Sequence, residues 1–188
     1  MSSTIEDLNG RIIVGFSSPE IRNPLSVNVI NRLHDLLGSI AAHNIKKLIF
    51  TGADDVFASG ANLREISQLD SKTALEFAIR GQSLMNKIAN LPMPTVAAIN
   101  GYCLGGALDL TLACNKRIAS PNAVFSHPGV SLGIITGWGG TQRLPRLIGE
   151  TRAMEMFLTA GRFNAEWALQ AGLIDEIADD PLDRALKS

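Results

Sequence analysis

Residues Thr95-Val96-Ala97-Ala98-Ile99-Asn100-Gly101-Tyr102-Cys103-Leu104-Gly105-Gly106-Ala107-Leu108-Asp109-Leu110-Thr111-Leu112-Ala113-Cys114 begin as a short β-branched apolar run. They pass an Asn-Gly turn and a glycine pair, then enter an apolar segment whose only charge is Asp109. That order reads as strand, tight turn and buried helix, with Gly105-Gly106 at the helix start. The first amides of a helix lack intrahelical acceptors and sit at the positive end of its dipole, so Gly106 is a candidate oxyanion donor. Asp109 follows one turn later on the same face. Helical side chains lean towards the N-terminus, so its carboxylate is expected to point at the space before the Gly106 amide. The same residues also suit a structural purpose, with glycines for close helix packing and an acid that complements the dipole.

Outward from this stretch, strands and helices alternate. Arg11–Phe16 reads as a strand closed by Ser17-Ser18-Pro19-Glu20, and Ser26 as the N-cap of a helix with Val29, Ile30, Leu33, Leu36, Leu37 and Ile40 on one face. Lys47–Gly52 reads as a buried strand that empties into a loop over Ala53–Leu63, followed by a helical turn at Arg64–Ile66. A long helix from Lys72 to Ala89 ends at Leu91-Pro92-Met93-Pro94, where proline denies continuation. Downstream lie strands at Asn115–Ala119 and Ala123–Ser126, a glycine-rich stretch over Ser131–Thr141, and helices at Arg143–Ile148, Thr151–Thr159 and Asn164–Ala171. A strand at Leu173–Ile177 comes last. Alternation at roughly 45-residue spacing favours an α/β layer or spiral over a bundle.

Composition bounds the partners. The 188 residues carry a net charge of −1 and are 46% hydrophobic, which suits one globular domain and offers no basic surface for nucleic acid. No apolar run reaches the about 18 to 20 residues of a membrane span, and the N-terminus lacks signal-peptide character, so a cytoplasmic protein with no membrane partner is expected. Cys103 and Cys114, on a turn and a buried helix, lack metal-ligand spacing and read as reduced core thiols; His34 and His43 read as solvated. No cluster of residues asks for a metal or a redox cofactor.

Four stretches together resemble the enoyl-CoA hydratase/isomerase family, the crotonase superfamily, over about Ile12 to Ile177. They are Phe57–Leu63, Ala97–Gly106, Gly137-Trp138-Gly139-Gly140-Thr141-Gln142-Arg143-Leu144-Pro145, and Ala165–Asp175. The resemblance implies an α/β, crotonase-like spiral of ββα units over residues 1–188 as a single domain. It further implies a homotrimer or hexamer and an acyl-CoA thioester substrate whose enolate is stabilised, with coenzyme A present only as part of the substrate. By motif, the oxyanion donors are the amides of Ala61 and Gly106. Ser59, Ala61, Asn62, Leu63, Arg64, Gly105, Gly106 and Gly129 are then expected along the thioester and pantetheine path, and Arg22, Asn23 and Leu25 towards the nucleotide end.

The sequence departs from the family at named positions. Of the two glutamates that hydratases use, the first maps onto Asp109 and the second onto Gly129, so the second carboxylate is absent. General acid-base help is worth about 10² to 10⁴ in rate, so efficient water addition needs a substitute group. His127 is the nearest titratable candidate, although strand alternation can aim it at the opposite face. A helix N-terminus lowers the Asp109 pKa while burial raises it. Asn62 stands where the family usually has aspartate, and Asp183–Ser188 ends short of most of the family's C-terminal helical segment. The leading expectation is a lyase or isomerase of fatty acid metabolism. Alternatives are a decarboxylase of malonyl-type thioesters and a non-catalytic acyl-CoA-binding or structural subunit. A serine peptidase of the related caseinolytic spiral fold, with Ser126 or Ser59, His127 and Asp109, fits poorly, because Gly106-Ala107 occupies the place of its nucleophile.

Overall fold

Residues 3–40 and 44–188 are described by the computed structural model. The first element is a hairpin of β1 (Ser3–Leu8) and β2 (Arg11–Phe16), turned at Asn9 and Gly10, both at positive φ as an Asn-Gly hairpin turn requires. The sequence reading missed β1, because only Ser3 of its six residues is buried and an exposed edge strand carries little apolar alternation. After β3 (Pro24–Leu25) comes α1 (Val27–Ile40), whose Val29 amide donates to the Ser26 hydroxyl at 3.3 Å, the N-cap expected there.

Three strand–strand–helix passes then build the frame. The first is β4 (Lys47–Thr51), β5 (Val56–Ala58) and β6 (Gly60–Ala61), leading into α2 (Leu63–Ile66) and α3 (Ser71–Ala89). The second is β7 (Thr95–Ile99), β8 (Tyr102–Leu104) and α4 (Gly106–Ala113). The third is β9 (Lys116–Ala119) and β10 (Val124–Ser126), followed by α5 (Gly140–Ile148) and α6 (Glu150–Thr159). The chain continues through β11 (Phe163–Asn164), α7 (Ala165–Ala171), β12 (Glu176–Ile177) and α8 (Pro181–Lys187). Among the described residues the first strand of each pass joins a six-stranded sheet ordered β1-β2-β4-β7-β9-β12. The second strand of each pass joins a smaller sheet ordered β11-β10-β8-β5. This is a spiral of ββα units.

Side-chain alternation divides the larger sheet into two faces. Leu48 and Phe50 of β4 and Ala97 and Ile99 of β7 enter the main core with α1, α3 and α4. Ile49, Val96, Ala98 and Ile118 point the other way, where Ala185 of α8 covers them. Lys47 ties this cover down, its Nζ donating to the Ala185 carbonyl at 2.9 Å and to the Ser188 hydroxyl at 3.1 Å.

Several boundaries differ from the sequence reading. The stretch Ala53–Leu63 is not all loop, since β5 is buried beside β8 and β6 pairs with β3. β8 likewise intervenes between the Asn100-Gly101 turn and the helix, so Cys103 lies on a strand. The α5 helix starts at Gly140, three residues before the position read from sequence, and the final strand is confined to Glu176–Ile177. Both cysteines are free and buried, and burial pushes their thiols up. His34 is half-buried with Nε2 3.1 Å from the Arg80 carbonyl, while His43 lies outside the described residues.

Candidate active site

Two backbone amides meet where β6 passes the start of α4. β6 is held by parallel pairing of Ala61 with Leu25, and the Ser59 amide donates to the Arg22 carbonyl at 3.0 Å. Gly60 sits at φ +88°, and a Cβ on it would lie 2.7 Å from the Gly106 nitrogen and 2.5 Å from the Leu104 carbonyl oxygen. A Cβ on Gly106 would lie 3.4 Å from the Ala61 nitrogen and 2.5 Å from the Trp138 ring. Glycine is therefore needed at both places, at Gly60 for backbone conformation as well as space. The Gly106 N–H is the first of its helix and has no intrahelical acceptor.

Ala61 and Gly106 both line a cavity of about 220 Å³. Its wall is mainly apolar, with Leu63, Ile66, Phe77, Ile134, Ile135 and Trp138 contributing most of the bulk. The Trp138 ring packs against Phe77 with centroids 5.3 Å apart, and Gln82 Nε2 anchors the neighbouring Gly137 carbonyl at 2.8 Å. Trp138 fits because Gly81 and Gly106 leave room for the indole.

Asp109 is fully buried and does not line the cavity. Its carboxylate lies against residues 136–140. Oδ2 accepts from the Thr136 hydroxyl and, at 3.3 Å, from the Trp138 amide. A carboxylate removed from water takes the donors that surround it, and here they come from the glycine-rich stretch. Burial still outweighs those hydrogen bonds and the Arg143 charge, raising the Asp109 pKa to about 6. Oδ1 has no hydrogen-bond partner among the described residues.

His127 faces that oxygen. Its Nε2 lies 3.7 Å from Asp109 Oδ1, its ring packs on Phe157 with centroids 5.0 Å apart, and the residue is 3% exposed. The possibility that strand alternation would aim it away is not realised, because β10 ends at Ser126 and the chain bends at His127 into a 3-10 turn over Pro128–Leu132. Burial pushes the imidazole down to about 4, so the ring is neutral at pH 7. Both ring nitrogens lack partners among the described residues.

The other candidates divide. Ser59, Leu63, Gly105 and Gly129 line the cavity together with the two amide-bearing residues. Asn62 caps α2, its Oδ1 accepting from the Arg64 amide at 3.0 Å, and Arg64 is exposed. Arg22 is exposed at φ 62°. Asn23 and Leu25 have other tasks. The Asn23 side chain is buried and bonded to Ser18, Val56 and Phe57 backbone, and Leu25 is fully buried in the core, so neither side chain is offered to a ligand. The Ser126 hydroxyl donates to the Ala160 carbonyl at 3.3 Å and takes no part in an Asp–His–Ser array. Gly129 packs closely, since a Cβ there would lie 2.7 Å from the Ile134 carbonyl oxygen. Thr136 had no signal of its own in the sequence, because its meaning is a contact with a residue 27 positions away.

A family model described as enoyl-CoA hydratase/isomerase matches residues 7–186. The fatty acid oxidation complex subunit alpha of Shewanella halifaxensis is 39% identical over 168 residues, covering 87% of this chain and 24% of that protein. The crotonyl-CoA hydratase of Syntrophomonas wolfei is 38% identical over 164 residues, covering 84% of this chain and 63% of that protein. The chain thus spans less than two thirds of either relative. The crystal structure of enoyl-CoA hydratase from Bacillus anthracis superposes with a TM-score of 0.93 at 31% identity, over 100% of this chain and 74% of that one.

Proposed function

Because the chain belongs to the enoyl-CoA hydratase/isomerase family, we propose that it binds an acyl-CoA thioester and stabilises its enolate between the amides of Ala61 and Gly106. The observation that supports this reading is the close approach of the backbone at Gly60-Ala61 and at Gly106 in the lining of an apolar cavity. The thioester oxygen gains negative charge as the enolate forms. Two fixed donors there offset it more strongly than water could, and one such donor is typically worth about 2.7 to 4 kcal/mol in the transition state. The apolar wall suits an acyl chain, and the buried acid Asp109 lies behind that wall. Coenzyme A enters as part of the substrate, with no resident cofactor. A homotrimer or hexamer in the cytoplasm is the assembly and place proposed with it. Among the described residues no helix is long and apolar enough to cross a membrane.

A second reading, a malonyl-type decarboxylase or a non-catalytic acyl-CoA binder, is favoured by Gly129. The closeness of the Ile134 carbonyl leaves no room for a side chain where a second carboxylate would stand. The test is a titration with acetoacetyl-CoA, which presents an enolate-like oxygen, beside an assay of crotonyl-CoA hydration. Saturable binding supports the enolate site, and its absence sinks it. Binding accompanied by carbon dioxide release from a malonyl-type thioester, without hydration, favours the second reading.

A further inference from the structure

The segment that leads from Ala61 to α3 has little to hold it. No residue of α2 is buried, and the apolar side chains of Leu63, Ile66 and Leu69 line the cavity instead of entering the core. Most of its hydrogen bonds stay inside the segment. The Arg64 amide donates to Asn62 Oδ1, the Ser67 hydroxyl to the Arg64 carbonyl, and the Gln68 and Leu69 amides to the Glu65 and Ile66 carbonyls. One bond leaves it. The Val27 amide donates to Glu65 Oε2 at 2.8 Å across 38 positions, and among the described residues no other hydrogen bond joins residues 62–69 to the rest of the chain. We propose, on the enolate reading above, that Glu65 is a positioning residue for the Ala61 amide. It clasps α2 to the first turn of α1 and so keeps that amide in place beside the start of α4.

Val27 is the first residue of a 14-residue helix, so its amide has no intrahelical acceptor and stands at the positive end of the dipole. The Ser26 hydroxyl is already engaged by the Val29 amide at 3.3 Å. A carboxylate suits such an amide, because a hydrogen bond to an ionised acceptor is roughly twice as strong as a neutral one. The clasp also falls where it bears on the site. Ala61 pairs with Leu25 in the β3–β6 ladder, so the ladder and the clasp attach the segment at two points to the single stretch Leu25–Val27. Held by the ladder alone, a two-residue strand can turn about its own axis and carry the Ala61 peptide plane with it. The second attachment at Glu65 removes that freedom. Gly60, at φ +88°, offers no stiffness of its own on the other side. An element with no buried side chain opens at low cost once its tie is cut.

The experiment uses the 188-residue chain with acetoacetyl-CoA as the probe. Two variants delete the bond from opposite sides. Glu65→Ala removes the acceptor, and Val27→Pro removes the donor at the helix position where proline is best tolerated. Amide hydrogen exchange over residues 61–69 should rise in both while urea unfolding stays cooperative, and unchanged exchange in both overturns the clasp. Acetoacetyl-CoA affinity should fall by about tenfold in each variant and no further in the double variant, because one bond cannot be lost twice. Additive losses overturn the pairing. At saturation the ultraviolet absorbance of the bound enolate should also drop, a change that a role confined to folding would not produce. Glu65→Gln keeps an acceptor and should keep most of that absorbance; a Gln variant as impaired as the Ala variant overturns the hydrogen bond as the positioning contact. Wild-type affinity and absorbance in both Glu65→Ala and Val27→Pro overturn the link to Ala61, even where exchange rises. A wild-type chain that fails to bind acetoacetyl-CoA overturns the enolate reading, and hydrogen exchange then decides the clasp by itself.

Discussion

Asp109 and His127 are buried against each other with opposite consequences for stability. The Asp109 pKa is raised to about 6, so its folded form holds a proton more tightly than the unfolded chain does. That contribution is present below the unfolded carboxylate range and is lost as pH rises through about 6. The His127 pKa is lowered to about 4, so its contribution is present above the unfolded imidazole range and is lost as pH falls towards about 4. Between pH 7 and pH 5 the two therefore offset each other. Urea unfolding at the two pH values should reveal each term when the other is removed. In His127→Asn the chain should gain about 2 kcal/mol on going to pH 5 relative to wild type, and in Asp109→Asn it should lose about 1 kcal/mol relative to wild type. Equal pH dependence in all three proteins would refute the assignment. Asp109 as an acid on the helix was legible from its spacing to Gly106. Its orientation was not, because the Thr136 and Trp138 donors that hold it arrive from a stretch with no local relation to the helix.

For the proposed enolate site, the elements that matter most are the short ones. β6 contributes two residues, yet Gly60 at φ +88° lets it pass within reach of the α4 N-terminus. In Gly60→Ala the new methyl meets backbone on the facing side, which cannot rotate away, and the strained φ adds to the cost. The two amide-bearing segments should separate. Acetoacetyl-CoA affinity should fall tenfold or more, about 1.4 kcal/mol, in a protein that still unfolds cooperatively; unchanged affinity would remove Gly60 from the argument. The turn that follows His127 gives a second case. Gly129→Glu restores the carboxylate that the family pattern places there, but its Cβ would meet the Ile134 carbonyl. Crotonyl-CoA hydration should not rise, and stability should drop by about 1 to 3 kcal/mol as the turn shifts. A gain of hydratase activity would show that the turn yields easily. Long helices and central strands were legible because their periodicity repeats several times. β5, β6 and β8 were not, because two or three residues are too few for a period, and their pairing partners lie far away in sequence.

At the scale of the molecule, the larger sheet keeps its two faces for different purposes. The cavity draws on no residue of the apolar cluster under α8, so the cover and the site are separable. Ala185→Asp would bury an unpaired charge against Ile49 and Val96 and should cost about 3 kcal/mol or more by urea unfolding. Acetoacetyl-CoA affinity below the transition should stay unchanged, and a parallel loss of affinity would show that the two faces are coupled. By itself the sequence determined the α/β class, the helix start that presents Gly106, and, through four ordered motifs, the family. Local periodicity and glycine chemistry carry that information within a few consecutive residues. Only the tertiary structure decided that Ala61 meets Gly106, that Asp109 sits behind the wall, that His127 reaches Asp109, and that Asn23 and Leu25 belong to the scaffold. Each of those depends on distances between side chains or amides brought together by separate passes of the spiral, and packing, rather than local preference, determines such distances.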